Sequence, residues 1–67
     1  ANILARPLMA MAGDLASVLA PGGLAVLSGF VTRDANRVLA AHRARGLVQV
    51  RRRVIDDWVT LVVRKAG

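Results

Sequence analysis

An α/β fold is predicted by three observations in a sequence of 67 residues. The segment Leu-Ala-Val-Leu-Ser-Gly-Phe at 24–30 is apolar without alternation, as a strand covered on both faces requires. Apolar residues before it and after it recur at helical spacing. Two further strand-like runs near the end are separated only by Asp56-Asp57, the signature of an antiparallel hairpin.

Taken in order, Asn2-Ile3-Leu4 reads as the end of a strand. Pro7 then suits a first helical position, and Leu8, Met11, Ala12, Leu15, Val18 and Leu19 form one stripe. Gly13-Asp14 is expected to interrupt that helix, with Asp14 capping a second segment that runs to Leu19. Pro21-Gly22-Gly23 ends it. After the apolar strand, Thr32 is the expected N-cap of a helix whose inner stripe is Ala35, Val38, Leu39 and His42. Asp34 suits its positive end, Arg43 and Arg45 its negative end, and Gly46 its stop. In Leu-Val-Gln-Val-Arg-Arg-Arg-Val-Ile, alternation puts Val48, Val50 and Val54 on one face, with Arg52 entering it. Trp-Val-Thr-Leu-Val-Val is nearly all apolar, so it belongs inside the sheet with the arginine-bearing strand outermost.

Composition narrows the function. A chain this short buries only about 60% of its unfolded surface, yet 55% of its residues are hydrophobic and the mean hydropathy is +0.47. Such a piece needs a larger body to pack against. The sequence also starts at Ala1 in the middle of a pattern, and a fragment is the expectation. No apolar run approaches the roughly 20 residues of a membrane span, and no basic segment precedes an apolar one as in a signal peptide. With no cysteine, disulfides and thiolate metal sites are excluded, and a cytoplasmic setting is expected. Ten Lys and Arg against four acidic residues give a net charge of +6, centred on Arg51-Arg52-Arg53. That cluster fits a solvated strand face better than an RNA site, because Phe30 and Trp58 are the only aromatics and neither is interleaved with it.

The order has a mechanical consequence. A strand–helix–strand unit crosses over right-handedly, so the strand ending at Leu4 and the strand at 24–30 are expected to lie parallel. Their carboxyl ends then share the edge beyond which ligands sit in open α/β sheets. Asn2, Ile3 and Leu4 thus converge with Ser28 and Gly29.

This order of elements resembles the carboxyl-terminal part of a Rossmann-like S-adenosylmethionine-dependent methyltransferase. "NILARPL", "LAPGGLAVLSGF", "VLAAHRARG" and "WVTLVVRK" look like consecutive blocks of the methyltransferases that modify ribosomal protein L-eleven of the large subunit. The resemblance spans essentially the whole chain, and "NIL" and "LSG" at this separation are its most specific parts. It departs from the family at Phe30, where isoleucine or leucine is usual, at His42, where tyrosine is common, and at Asp57, which replaces glutamate before Trp58. The strand carrying Arg51-Arg52-Arg53 is also more basic than the family's.

The resemblance implies that residues 1–67 are the carboxyl-terminal portion of a class I methyltransferase domain, acting on lysine and amino-terminal amines of a ribosomal protein. It implies a catalytic role for Asn2, whose side-chain oxygen accepts a hydrogen bond from the incoming amine, and substrate contacts at Ile3, Leu4, Ser28 and Gly29. The glycine loop and acidic strand end that hold S-adenosylmethionine in this family have no counterpart here. The isolated chain is therefore expected neither to bind that cofactor nor to be active. Ser28 has no basic partner that would make it a nucleophile, His42 reads as packed, Trp58 as core or hairpin packing, and no metal constellation is visible. The competing reading is a small basic RNA-binding module, for which affinity should fall steeply with salt. Cut from its parent, the strand at 24–30 is an apolar edge prone to self-association.

Overall fold

The computed structural model describes residues 5–66. Helices α1 (Ala5–Ala10) and α2 (Ala12–Val18) lead into strand β1 (Leu24–Val31). Helix α3 (Thr32–Arg43) follows at once, then strands β2 (Leu47–Ile55) and β3 (Trp58–Lys65). The strands form one antiparallel sheet in the order β1-β3-β2. The α/β class holds, and the apolar strand does lie inside with the arginine-bearing one outermost. The parallel neighbour expected for β1 falls on residues 1–4, outside the described residues.

The first helix breaks at Met11 instead of Gly13-Asp14. Met11 keeps a helical φ of −83° but its ψ relaxes to −6°, so the turn loosens for one residue and resumes. Hydrogen bonds carry across the break, from Met11 N to Pro7 O (3.0 Å) and Leu15 N to Met11 O (2.9 Å). Asp14 is therefore no cap; it sits in the first turn of α2, where a negative charge suits the free N–H groups. The Pro-Gly-Gly turn is tied to the far end of β3. Gly22 N donates to Lys65 O (2.8 Å), Lys65 N donates to Gly23 O (2.9 Å), and Lys65 Nζ reaches Leu19 O (2.9 Å). A Cβ at Gly23 would stand 2.8 Å from Ala20 O, so this turn excludes any side chain there.

Thr32 is not the N-cap of α3. That place belongs to Val31, in extended conformation and without a side-chain cap. The Thr32 hydroxyl instead donates to Asp57 O (3.3 Å) alongside its own N–H (3.0 Å), which fastens the hairpin turn to the start of the helix. Asp56 and Asp57 both have positive φ (49° and 69°), as a two-residue turn matching the strand twist requires; aspartate tolerates this region without glycine. Gly46 stops the helix at φ 82°.

The inner stripe of α3 is largely as expected: Ala35, Val38 and His42 are buried and Leu39 is half-buried. They meet Leu27, Phe30, Leu47, Val59, Leu61 and Val63, which form the core with Ala35 and Val38. Leu8, Met9, Leu15, Ala16 and Leu19 of the first helical segment pack against its margin.

Val48, Val50 and Val54 do not share a face of β2. The register shifts between Gln49 and Arg51, leaving Val50 without a partner. Gln49, Arg52 and Val54 lie opposite Val63, Leu61 and Val59, on the helix side, whereas Val48, Arg51, Arg53 and Ile55 turn the other way. One extra residue has reversed the alternation. Trp58 is not core either: it pairs with Val31 and Ile55 on the uncovered side and is half-exposed.

Among the described residues, the edge of β1 away from β3 has no partner strand. Such an edge templates pairing with another chain, while a net charge of +6 opposes it. Sedimentation of the 67-residue chain should therefore show association that grows as salt screens the charge. A monomer at every salt concentration would mean that β1 needs no neighbour.

Candidate functional site

Ser in a strand followed by Gly often marks a bulge, and β1 carries one near its carboxyl end. Leu27 pairs with Leu61 and Phe30 with Val59, so Ser28 and Gly29 together oppose the single residue Thr60. Gly29 stands at φ 90°, a conformation that L side chains rarely adopt, and nothing within 4 Å would otherwise obstruct a Cβ. The bulge thus holds Gly29 for its backbone, and its neighbour Ser28 is exposed. Two strand residues later the chain enters α3, where Thr32 receives the hairpin turn through Asp57 O. Exposed hydroxyl, bulged backbone and docked turn come together at one end of the sheet.

Asp34, in the first turn of α3, is 1% exposed. Arg37, one turn on, pairs with its Oδ1, while Oδ2 has no hydrogen-bond partner among the described residues. Sequence reasoning gave Asp34 only a dipole role. Its burial had no signal beyond its place just before the apolar pair partner Ala35.

His42 lies two helical turns further along, wholly buried, with Nδ1 2.7 Å from Val38 O. A carbonyl oxygen only accepts, so Nδ1 carries the hydrogen, and Nε2 has no partner among the described residues. The structure does not bring His42 to Ser28, and a nucleophilic pair is not formed. Among the described residues no group of three His, Cys, Asp or Glu side chains could hold a metal ion. No described helix is long and apolar enough to cross a membrane. A hollow of about 650 Å³, open to solvent, lies between Gly13, Asp14 and Ser17 on α2 and Arg45 beyond the far end of α3. It is remote from the Ser28-Gly29 end of the sheet.

Asn2, Ile3 and Leu4, the other expected site residues, lie outside the described residues. The arginine triplet is divided. Arg51 and Arg53 point to the uncovered side, whereas Arg52 bonds Gln49 (Nε to Oε1, 3.2 Å) and Asn36 of α3 (Nη2 to Oδ1, 3.4 Å).

A three-stranded antiparallel sheet with its helices on one face, bulged where β1 meets the following helix, defines a small α/β unit. A family model described as Ribosomal protein L11 methyltransferase (PrmA) matches residues 1–66, and the chain belongs to this family. A protein named ribosomal protein L11 methyltransferase in Bradyrhizobium diazoefficiens is 51% identical over 67 residues, covering 100% of this chain and 23% of that protein. Proteins of the same name in Agrobacterium fabrum (48% over 65 residues, 97% of this chain, 22% of the relative) and Chloroflexus aurantiacus (45% over 65, 97% and 20%) are also similar. The chain thus spans less than a quarter of the length of these relatives.

Proposed function

We propose that this sequence is the carboxyl-terminal part of a cytoplasmic Rossmann-like methyltransferase that uses S-adenosylmethionine to methylate lysine and amino-terminal amines of ribosomal protein L11. The observation that carries the reading is the family match across residues 1–66, which also favours it over an RNA-binding module.

β1 passes into α3 at Val31-Thr32 with no glycine loop between strand and helix, which supports the reading that the nest for the cofactor's charged end is not built here. The cofactor supplies the methyl group from a pocket built elsewhere in a longer polypeptide. This chain contributes the acceptor end. The Asn2 side-chain oxygen accepts a hydrogen bond from the substrate amine and fixes the direction of its lone pair, so catalysis there is positioning. The amine must arrive unprotonated, and burial favours that form. Ser28 and Gly29, with little bulk on the bulge, admit the substrate backbone close to the strand end. Ile3 and Leu4 line the same approach.

The direct test incubates a polypeptide of the relatives' length that contains this sequence with S-adenosylmethionine and ribosomal protein L11. Methyl incorporation at amines supports the reading, and none overturns it. Calorimetric titration of the 67-residue chain alone should give no saturable heat with S-adenosylmethionine. Binding at micromolar cofactor would put the cofactor site on this chain after all.

A further inference from the structure

The solvent-facing stripe of α3 carries Arg33, Asn36, Arg37 and Arg43, all exposed, and between Arg37 and Arg43 it holds only Ala40. Arg52 joins them from β2, on the helix side of the sheet, through its bond to Asn36 (3.4 Å). Against these four guanidinium groups stands one carboxylate, that of Asp34, which is buried and paired with Arg37. The chain's other acidic residues lie elsewhere, Asp14 on α2 and Asp56 and Asp57 in the hairpin turn.

Two of these arginines are held in place, which sets them apart from a merely solvated row. Arg37 is fixed by Asp34, a carboxylate that is costly to bury and whose Oδ2 has no partner among the described residues. Arg52 is fixed by two neutral amides, Gln49 Oε1 (3.2 Å) and Asn36 Oδ1, which orient the guanidinium without cancelling its charge. A cation ordered in advance loses less freedom when it binds. The same two bonds occupy the amide oxygens, so Asn36 and Gln49 have N–H groups left to offer. The surface is thus a field of donors. Phosphates are acceptors only, and along a nucleic-acid strand their charge recurs at every nucleotide.

We infer that this face binds the phosphate backbone of RNA, with Arg33, Arg37, Arg43 and Arg52 each on phosphate oxygens. The contact reads no sequence, because Phe30 is buried and Trp58 lies on the other side of the sheet, leaving no aromatic ring here for a base to stack on. Duplex RNA, recognised by backbone and shape, is therefore the fitting form. An acidic peptide fits poorly, since its own backbone N–H groups would meet donors. This is a second surface on an enzyme and does not stand in place of catalysis. The choice of RNA among phosphate chains rests on the methyltransferase reading, which gives the enzyme a ribosomal protein as substrate.

The test titrates a fluorescently labelled RNA hairpin with the full-length polypeptide across a salt series and follows anisotropy. The expected result is saturable binding whose affinity falls steeply as salt rises. Combining Arg33→Ala with Arg43→Ala removes two exposed side chains that lie outside the core. That pair should weaken binding about tenfold or more and lower the salt slope by about two. Arg51→Ala with Arg53→Ala, on the other side of the sheet, should change neither. No binding at low salt, an unchanged slope in the first pair, or an equal loss in the second overturns the proposal. Tighter binding of a DNA duplex of the same length, or of polyglutamate, overturns it as well. Methylation of L11 measured in parallel separates the two readings. RNA binding without methylation leaves this phosphate surface standing and sinks the methyltransferase reading, and methylation without RNA binding does the reverse.

Discussion

In a full-length methyltransferase carrying this sequence, Asn2→Ala lowers kcat by roughly 100-fold, the scale of a misplaced reacting group, while cofactor affinity changes little. An acceptor that orients the amine acts chiefly on the way to the transition state, so turnover carries the loss. Steady-state kinetics with L11, paired with calorimetry of S-adenosylmethionine binding, separates the two quantities. Normal turnover would reduce Asn2 to a strand-end cap; equal losses in both would make it a cofactor contact.

The second large effect is on stability. Phe30 is wholly buried in the core that Leu27, Val59 and Leu61 share with Ala35 and Val38 of α3. Phe30→Ala should cost about 3–5 kcal/mol, transfer and cavity terms together. A domain this small holds roughly 3–10 kcal/mol in all, so the loss removes a large share of its stability. Denaturant titration followed by circular dichroism reads the loss as a lower midpoint at unchanged slope. A loss below about 1 kcal/mol would show that the helices collapse into the void. Phe30 is also where the sequence departs from the family's isoleucine or leucine, and the larger ring is fully accommodated.

What the sequence made legible was whatever depends on hydrophobic period and turn chemistry. The helix over 32–43, its stop at Gly46, the tight Asp56-Asp57 connection and the inner place of β3 all follow from such signals. What it hid depends on single-residue events. An extra residue at Val50 reverses the faces of β2 and moves Arg52 and Val54 to the side opposite Val48, yet the local run of valines and arginines reads the same with or without it. Thr32 looked like a cap because cap residues are recognised by type, whereas its real partner, Asp57 O, lies 25 residues away. Of the two places expected for Trp58, core or hairpin, the register selects the hairpin, opposite Val31 and Ile55 on the uncovered side. At the site, the bulge at Ser28-Gly29 had a signal in the glycine within a strand, which the sequence reading took only as a lack of bulk. The burial of Asp34 had no such signal, because it arises from how α3 lies on the sheet.

The strand order also constrains when this unit can form during synthesis. β3 is made last of the three strands but occupies the centre, and without it β1 and β2 share no ladder. The Pro-Gly-Gly turn waits on the same segment, since Gly22, Gly23 and Leu19 all bond Lys65. Closing so long a span costs entropy before any pairing rewards it. While Trp58–Lys65 is still inside the ribosome, Leu24–Val31 and Leu47–Ile55 lack, among the described residues, the strand that pairs with both. The β1-β3-β2 ladder therefore closes only after the last of its strands emerges.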